Sequence, residues 1–363
     1  GPSPRRFGGD MNETNNNEPD IREVLRSVAG SMVGAVTVAC IIAGHRTGLY
    51  QAMDGRGALS ADEVAASAGT NPRLTREWLD QQASAGLAVY EASSDTYRLP
   101  SAVATALADS TSPFWMAGGL VGTQALYLDL DQGIEALRGD GAVGWGEHHH
   151  YFFEGTEELF RPAYDHLLIQ HWMPALSCGV DRLNAGIAVA DIGCGNGAST
   201  VRMARAFPDS SFTGFDFHAP SVEAARTTAA ELGLENVSFE VAAADGYSGP
   251  FDLICFFDCL HDMGDPVGAA AHARSQLAAD GHLMLVEPFA KDSREDNHGF
   301  MAALRYGMSL FGCVPCSLAQ EGAAGLGNQA GEVGMRTIFE ASGFSTFNRI
   351  AETPNNIVYE AIP

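Results

Sequence analysis

The sequence predicts an α/β chain in which a doubly wound, mostly parallel sheet follows a mainly helical N-terminal domain, and three observations carry that prediction. A β-branched apolar run ends in a loop with glycines at alternate positions. Acidic residues recur at the ends of the apolar runs that follow, and two short, well-capped helices and a hairpin stand near the N-terminus. The glycine loop is the sharpest signal. Ile187, Val189 and Ile192 suit a strand covered on both faces, and Asp191 marks its end. Gly193, Gly195 and Gly197 then let the backbone turn tightly and approach a ligand before a helix begins at Ala198. The free N–H groups of that helix face the same ligand, so the turn predicts a nucleotide-type pocket.

A dinucleotide fingerprint would read G-x-G-x-x-G, with a pyrophosphate on the helix N-terminus. This loop reads G-x-G-x-G behind an acid, which would repel a pyrophosphate and attract an ammonium group. One strand–helix–strand step later, residues 211–215 end in Asp216, where a carboxylate can accept hydrogen bonds from ribose hydroxyls. Residues 237–241 lead into Ala244-Asp245-Gly246, residues 251–257 into Asp258, and residues 281–287 end in Glu287. The acids thus recur at the C-terminal ends of successive strands, where open α/β sheets bind ligands. Residues 345–350 and 356–362 read as an antiparallel pair that closes the sheet.

With these acids the loop resembles motif I of class I S-adenosylmethionine (SAM) methyltransferases. Leu260-His-Asp-Met-Gly-Asp265 resembles the L-H-D-W-x-D stretch of bacterial and plant small-molecule O-methyltransferases, with Met263 in the tryptophan position. The resemblance implies a Rossmann-like, seven-stranded domain with SAM as its cofactor. It places Asp191, Gly193, Cys194, Gly195, Asn196, Gly197, Asp216, Phe217, Asp245, Gly246 and Asp258 around that cofactor, Asp245 meeting the adenine amino group. It makes His261 the general base for a substrate hydroxyl, work that imidazole suits because its pKa lies near neutrality. Glu287 and Glu332 are the candidate acids to hold that base, although the Gly-rich residues 321–334 depart from the family's usual catalytic-acid segment. Residues 151–154 and 160–164 resemble the substrate-covering helix: Phe153, Phe160 and Tyr164 would form one wall, and residues 300–311, with Phe300 and Met308, the opposite one. The aromatic residues read equally well as plain core. Methyl transfer to a small-molecule oxygen is the leading reading, with nitrogen, sulfur and carbon acceptors and non-methylating uses of bound SAM left open. The competing class is a winged-helix DNA-binding regulator that senses SAM or a metabolite.

Composition fits a two-part enzyme: 363 residues, 46% of them hydrophobic, suffice for more than one core. Twenty-one basic against 45 acidic side chains, a formal charge of −24, argue against a nucleic-acid partner, and Lys291 is the sole lysine. Seven cysteines, an odd number, read as reduced thiols in a cytoplasmic protein. No metal is expected: Cys313 and Cys316 form a single C-x-x-C, and the adjacent His148, His149 and His150 cannot readily all face one ion.

Residues 1–10 read as a cloning remnant ahead of a start at Met11, and residues 11–20 as a polar, disordered tail. Residues 27–44 carry no charge over eighteen positions, but their glycines, serines and threonine favour a buried helix over a membrane span. Ser60 and Asn71-Pro72 cap two short helices, and residues 87–91 and 96–99 form a hairpin, which together make a winged helix. Residues 56–98 hold four arginines against six acids, so DNA recognition is not expected of it; the resemblance assigns such a domain to homodimerisation. The predicted layout is a tail over 1–20, a winged-helix dimerisation domain over 21–100, a helical linker with substrate-covering helices over 101–180, and the SAM-binding domain over 181–363.

Overall fold

A computed structural model describes residues 20–363, so the expectations for residues 1–19 lie outside the described residues. Asp20, expected in the tail, is instead the N-cap of a long helix, Ile21–Thr47: its carboxylate accepts from Arg22 N and Glu23 N, and Glu23 returns a bond to the Asp20 backbone in a reciprocal capping box. The helix ends at Gly48, whose φ of 73° is the left-handed turn that glycine takes without a Cβ penalty. Only its C-terminal part is buried, at Ile41, Ile42 and Gly44. A Cβ on Gly44 would lie 2.4 Å from the Trp78 ring, so the helix can approach its neighbour only with glycine there.

That neighbour is the winged helix. Its strands β1 (Ala58–Leu59), β2 (Val89–Glu91) and β3 (Thr96–Arg98) form a small antiparallel sheet in the order β1-β3-β2. The helices Ala61–Ala68 and Pro72–Ser84 begin at the expected Ser60 and Asn71 caps. Tyr50, Leu79 and Tyr97 fill the core, and Trp78 Nε1 donates to Cys40 O at 2.8 Å, fastening the long helix to this domain.

The C-terminal sheet contains β4 (Ala188–Ile192), β5 (Ser211–Asp216), β6 (Val237–Val241), β7 (Phe251–Phe257), β8 (Leu277–Pro288), β9 (Thr346–Glu352) and β10 (Asn356–Ile362). They lie in the order β6-β5-β4-β7-β8-β10-β9; β4 to β8 are parallel, and β10 runs antiparallel to both its neighbours, as the sequence predicts. Apolar cores cover both faces, one around Phe256, Leu285 and Phe339, the other around Trp172, Phe212 and Val286. The chain order reverses on the two sides of β4, so the crevice beyond the carboxyl ends of β4, β5 and β7 is where a ligand fits.

The segment between the domains is helical and roofs this crevice. Helix His150–Ala163 packs on helix Leu120–Leu128 so closely that a Cβ on Gly155 would meet Gly122 N at 2.0 Å. Pro162 removes one backbone donor near its end, and Tyr164–Trp172 continues as a wider helical turn that buries Tyr164, Leu168 and Trp172.

Candidate active site

The three loop glycines have φ values of 70° (Gly193), 53° (Gly195) and 77° (Gly197), all in the left-handed region, which explains the alternation. Gly193 N and Cys194 N both donate to Phe215 O, which folds the loop over the end of β5. Asp216 completes the fastening: Oδ2 accepts from Gly195 N and Oδ1 from His218 N, each at 2.8 Å. Burial pushes its carboxyl above the usual range, against the pull of those two donors.

A cavity of about 890 Å³ opens here, near the upper end of the range for small-molecule sites. Gly193, Cys194, Gly195, Asn196, Asp216, Phe217, Asp245 and Asp258 line it, as do Phe153, Phe160 and Tyr164. Three residues of the expected cofactor set stand back from it. Asp191 is buried under the loop, where Oδ2 accepts from Ser199 Oγ (2.6 Å) and Thr200 Oγ1 (2.7 Å) and so secures the following helix, while Oδ1 has no hydrogen-bond partner. Burial lifts its carboxyl to about 6. Gly197 is required by packing as well as by φ, since a Cβ there would lie 2.7 Å from the Phe239 ring, and Gly246 lies outside the lining behind Asp245.

The base motif also departs from expectation. His261 is 3% exposed and is not on the cavity wall; Asp262 is. Its Nδ1 meets Glu287 Oε2 at 2.5 Å, and its Nε2 lies 3.2 Å from Asp262 Oδ1. Glu287, at the end of β8, is therefore the partner of the histidine. Glu332 is not: it lies in the first turn of helix Gly331–Ala341 and pairs with Arg336 on that helix and Arg349 on the edge strand β9. Burial alone would lower the His261 pKa, but the carboxylates of Asp262 and Glu287 outweigh it and hold the imidazole well above its ordinary value. Cys313 stands beside them, and burial pushes its thiol up to about 11. His261, Asp262 and Cys313 present ligand atoms within 4.8 Å of one another, a spacing that could accept a divalent ion, yet the charge match between imidazole and carboxylates accounts for it without one. In the histidine run, His148 Nδ1 bonds Asp129, while the rings of His149 and His150 lie against each other and Tyr151.

The predicted opposite wall is absent from the cavity. Phe300 is 89% exposed, and Met308, half-buried, lies outside the lining. Met263, Gly264, Asp265, His272, Gln320 and Glu321 also line the cavity, and Trp145, Thr156 and Glu157 of the helical segment between the domains join its roof. Asp262 was adjacent to a recognised histidine and could have been found by asking which of the two faces the crevice. Gln320 and Trp145 had no local signal. Asp258 adopts φ 50°, tolerable for aspartate, and accepts from Asn356 Nδ2 at 2.8 Å, a bond across the sheet that no motif announces.

The lining carries seven carboxylates, those of Glu157, Asp216, Asp245, Asp258, Asp262, Asp265 and Glu321, and no lysine or arginine among the described residues. The acids on β5 and beyond β6 suit ribose hydroxyls and an adenine amino group, and the anionic lining suits a sulfonium cation. The geometry therefore fits SAM.

Residues 183–317 match the family described as "Methyltransferase domain", and residues 34–109 that described as "Rv2258c-like winged HTH domain". The chain is 32% identical over 146 residues to the 27-O-demethylrifamycin SV methyltransferase of Amycolatopsis mediterranei (strain S699), covering 39% of this chain and 51% of that protein. It thus spans about half the length of that curated relative, and less of others. Among solved structures, PigF bound to SAH superposes with a TM-score of 0.72 at 17% identity, covering 95% of this chain and 100% of the other. Human N-acetylserotonin methyltransferase in complex with SAM gives 0.67 at 18% identity, covering 96% and 99%. At these identities the likeness establishes the fold.

Proposed function

We propose that this chain, a methyltransferase domain joined to an Rv2258c-like winged helix-turn-helix domain, transfers the methyl group of SAM to a hydroxyl oxygen of a small molecule. The observation that carries the proposal is a single cavity lined by two chemically distinct groups of residues: the glycine loop tied to Asp216, with Asp245 beyond β6, and Asp262 with His261 and Glu287 behind it. SAM, when bound, supplies an electrophilic methyl. The chain positions an acceptor against it and removes a proton, steps worth several orders of magnitude and about 10²–10⁴-fold respectively. Asp216 would hold the ribose and Asp245 the adenine amino group, with Phe217 beside them. His261 is the general base, reached from the acceptor across Asp262, and Glu287 fixes its orientation through Nδ1. The test is calorimetric titration with SAM and S-adenosylhomocysteine (SAH), then mass spectrometry for a methyl gain across a library of small hydroxyl compounds. Absence of cofactor binding would remove the proposal.

We assign the N-terminal domain to homodimerisation and not to DNA. Three of the four arginines in residues 56–98 are engaged within the domain: Arg73 with Glu77, Arg76 with Asp95, and Arg56 with Ala52 O and Ser67. These pairings, with six acids in the same stretch, work against a basic face for phosphates. Helix Ile21–Thr47 is long and apolar enough to cross a membrane, but its exposed Leu25, Val28, Met32 and Val36 continue into the winged-helix core. A second copy covering them removes the patch without lipid. All seven cysteines are unpaired, which supports a reducing, cytoplasmic setting.

A further inference from the structure

The charge of the cavity bears on what else enters it. Of its seven carboxylates, the methyltransferase reading uses Asp216 and Asp245 for the cofactor, and Asp265 caps helix Pro266–Gln276 by accepting from Gly268 N at 2.8 Å. Glu157, Asp258, Asp262 and Glu321 remain, in a lining that also carries the aromatic walls. Asp258 Oδ2 is enclosed and has no hydrogen-bond partner, which is costly for a carboxylate unless a ligand completes it, and Asp262 Oδ1 meets only the His261 imidazole, at 3.2 Å. The same lining carries paired rings: Tyr164 meets Phe257 edge-on at 5.8 Å, and Trp145 lies 5.5 Å from Phe153. Aromatic faces and carboxylates attract the same kind of guest, a flat molecule with a positive charge.

We propose that the acceptor is a flat hydroxyl compound carrying a protonated or quaternary amine, and that acceptors bearing a carboxylate or phosphate are excluded. This rests on the methyltransferase reading and narrows its substrate class. SAM has a net charge of +1, too little to neutralise the lining, so an anionic acceptor would enter an uncompensated negative field. Burial pushes Asp258 and Asp262 above the usual carboxylate range in the free site; a cation beside them restores the ionised forms and converts a cost into an attraction. An ion pair in a partly dry site is worth about tenfold in affinity or more.

The experiment uses the full chain saturated with SAH and matched probes that differ only in charge: tyramine, cresol and hydroxyphenylacetate, then dopamine, methylcatechol and dihydroxyphenylacetate. Calorimetry should rank amine above neutral by about tenfold and carboxylate last in each set, with the amine advantage shrinking in high salt. Asp262→Asn should reduce that advantage while leaving SAH affinity unchanged. Carboxylates binding as well as amines, equal binding by all three, or no binding by the amines would overturn the proposal. Failure of SAH itself to bind would instead overturn the methyltransferase reading, so the two failures are distinct.

Discussion

Replacing Asp216 by alanine tests the cofactor end of the site most severely, because that carboxylate has two duties. It accepts from Gly195 N and His218 N at 2.8 Å each, and in the proposed complex it also receives the ribose hydroxyls. Charge-assisted hydrogen bonds contribute about 1.5–3 kcal/mol each. Loss of the ribose contact alone should weaken SAM roughly ten- to a hundredfold, and loosening of the glycine loop should add to that. The free protein should change much less, since Asp216 is only 8% exposed and the cost of burying its charge partly offsets the two backbone bonds it makes. Asp216→Asn, which keeps one accepting oxygen, should fall between wild type and alanine. Calorimetric titration with SAM and SAH gives the affinities, and thermal unfolding of the free protein gives the control. Affinity within twofold of wild type in the alanine variant would refute the role; a collapse in unfolding temperature matching the loss of affinity would reduce it to scaffolding.

Three further outcomes follow from the same geometry. His261→Ala should slow methyl transfer by about a hundredfold or more with SAM affinity unchanged. Because the imidazole is held above its ordinary pKa and works deprotonated, turnover should rise with pH through a limb above about 6.5, and Glu287→Gln should move that limb to lower pH; a limb that stays put would show Glu287 has no hold on the base. Asp191 has a folded pKa of about 6, raised from 3.8, so the folded state binds the extra proton between those values and its contribution to stability is lost as pH rises through that window. Asp191→Asn, which can still accept from Ser199 and Thr200, should therefore flatten the fall in unfolding temperature between about pH 4 and 7; an unchanged slope would deny that burial. Val28→Glu with Met32→Glu, one turn apart on the exposed face of helix Ile21–Thr47, should turn a dimer into a monomer by light scattering, and a monomeric wild-type chain would contradict the interface.

What the sequence disclosed divides along a physical line. Strand periodicity, three αL glycines and capping residues are local requirements, met within a few positions, so β4 to β10 and both winged-helix caps were legible in advance. Residues such as Asp216 and His261 were legible because a short motif encodes them. Their surroundings were not, since contact partners across a sheet depend on register. Glu287 and Glu332 were equal candidates from spacing, yet parallel pairing of β7 with β8 sets Phe257 opposite Val286, which delivers Glu287 to the histidine, while the helix carrying Glu332 lies over the other edge. Asp191 stands back from the cavity lining for a related reason. Its pairing with Gly214 and Cys255 puts it in mid-sheet, with its side chain under the loop it was expected to serve, and two hydroxyls from the next helix claim it first. Asp262 gained the exposure predicted for its neighbour because the short turn Leu260–Asp262 buries Leu260 and His261 and leaves the aspartate at the crevice. In such a turn successive side chains point in different directions, and only the fold says which one meets the substrate. The motif thus marks the site's location, and the turn geometry distributes roles within it: one residue at the cavity, one behind it, and a third on the next strand to hold the second in place.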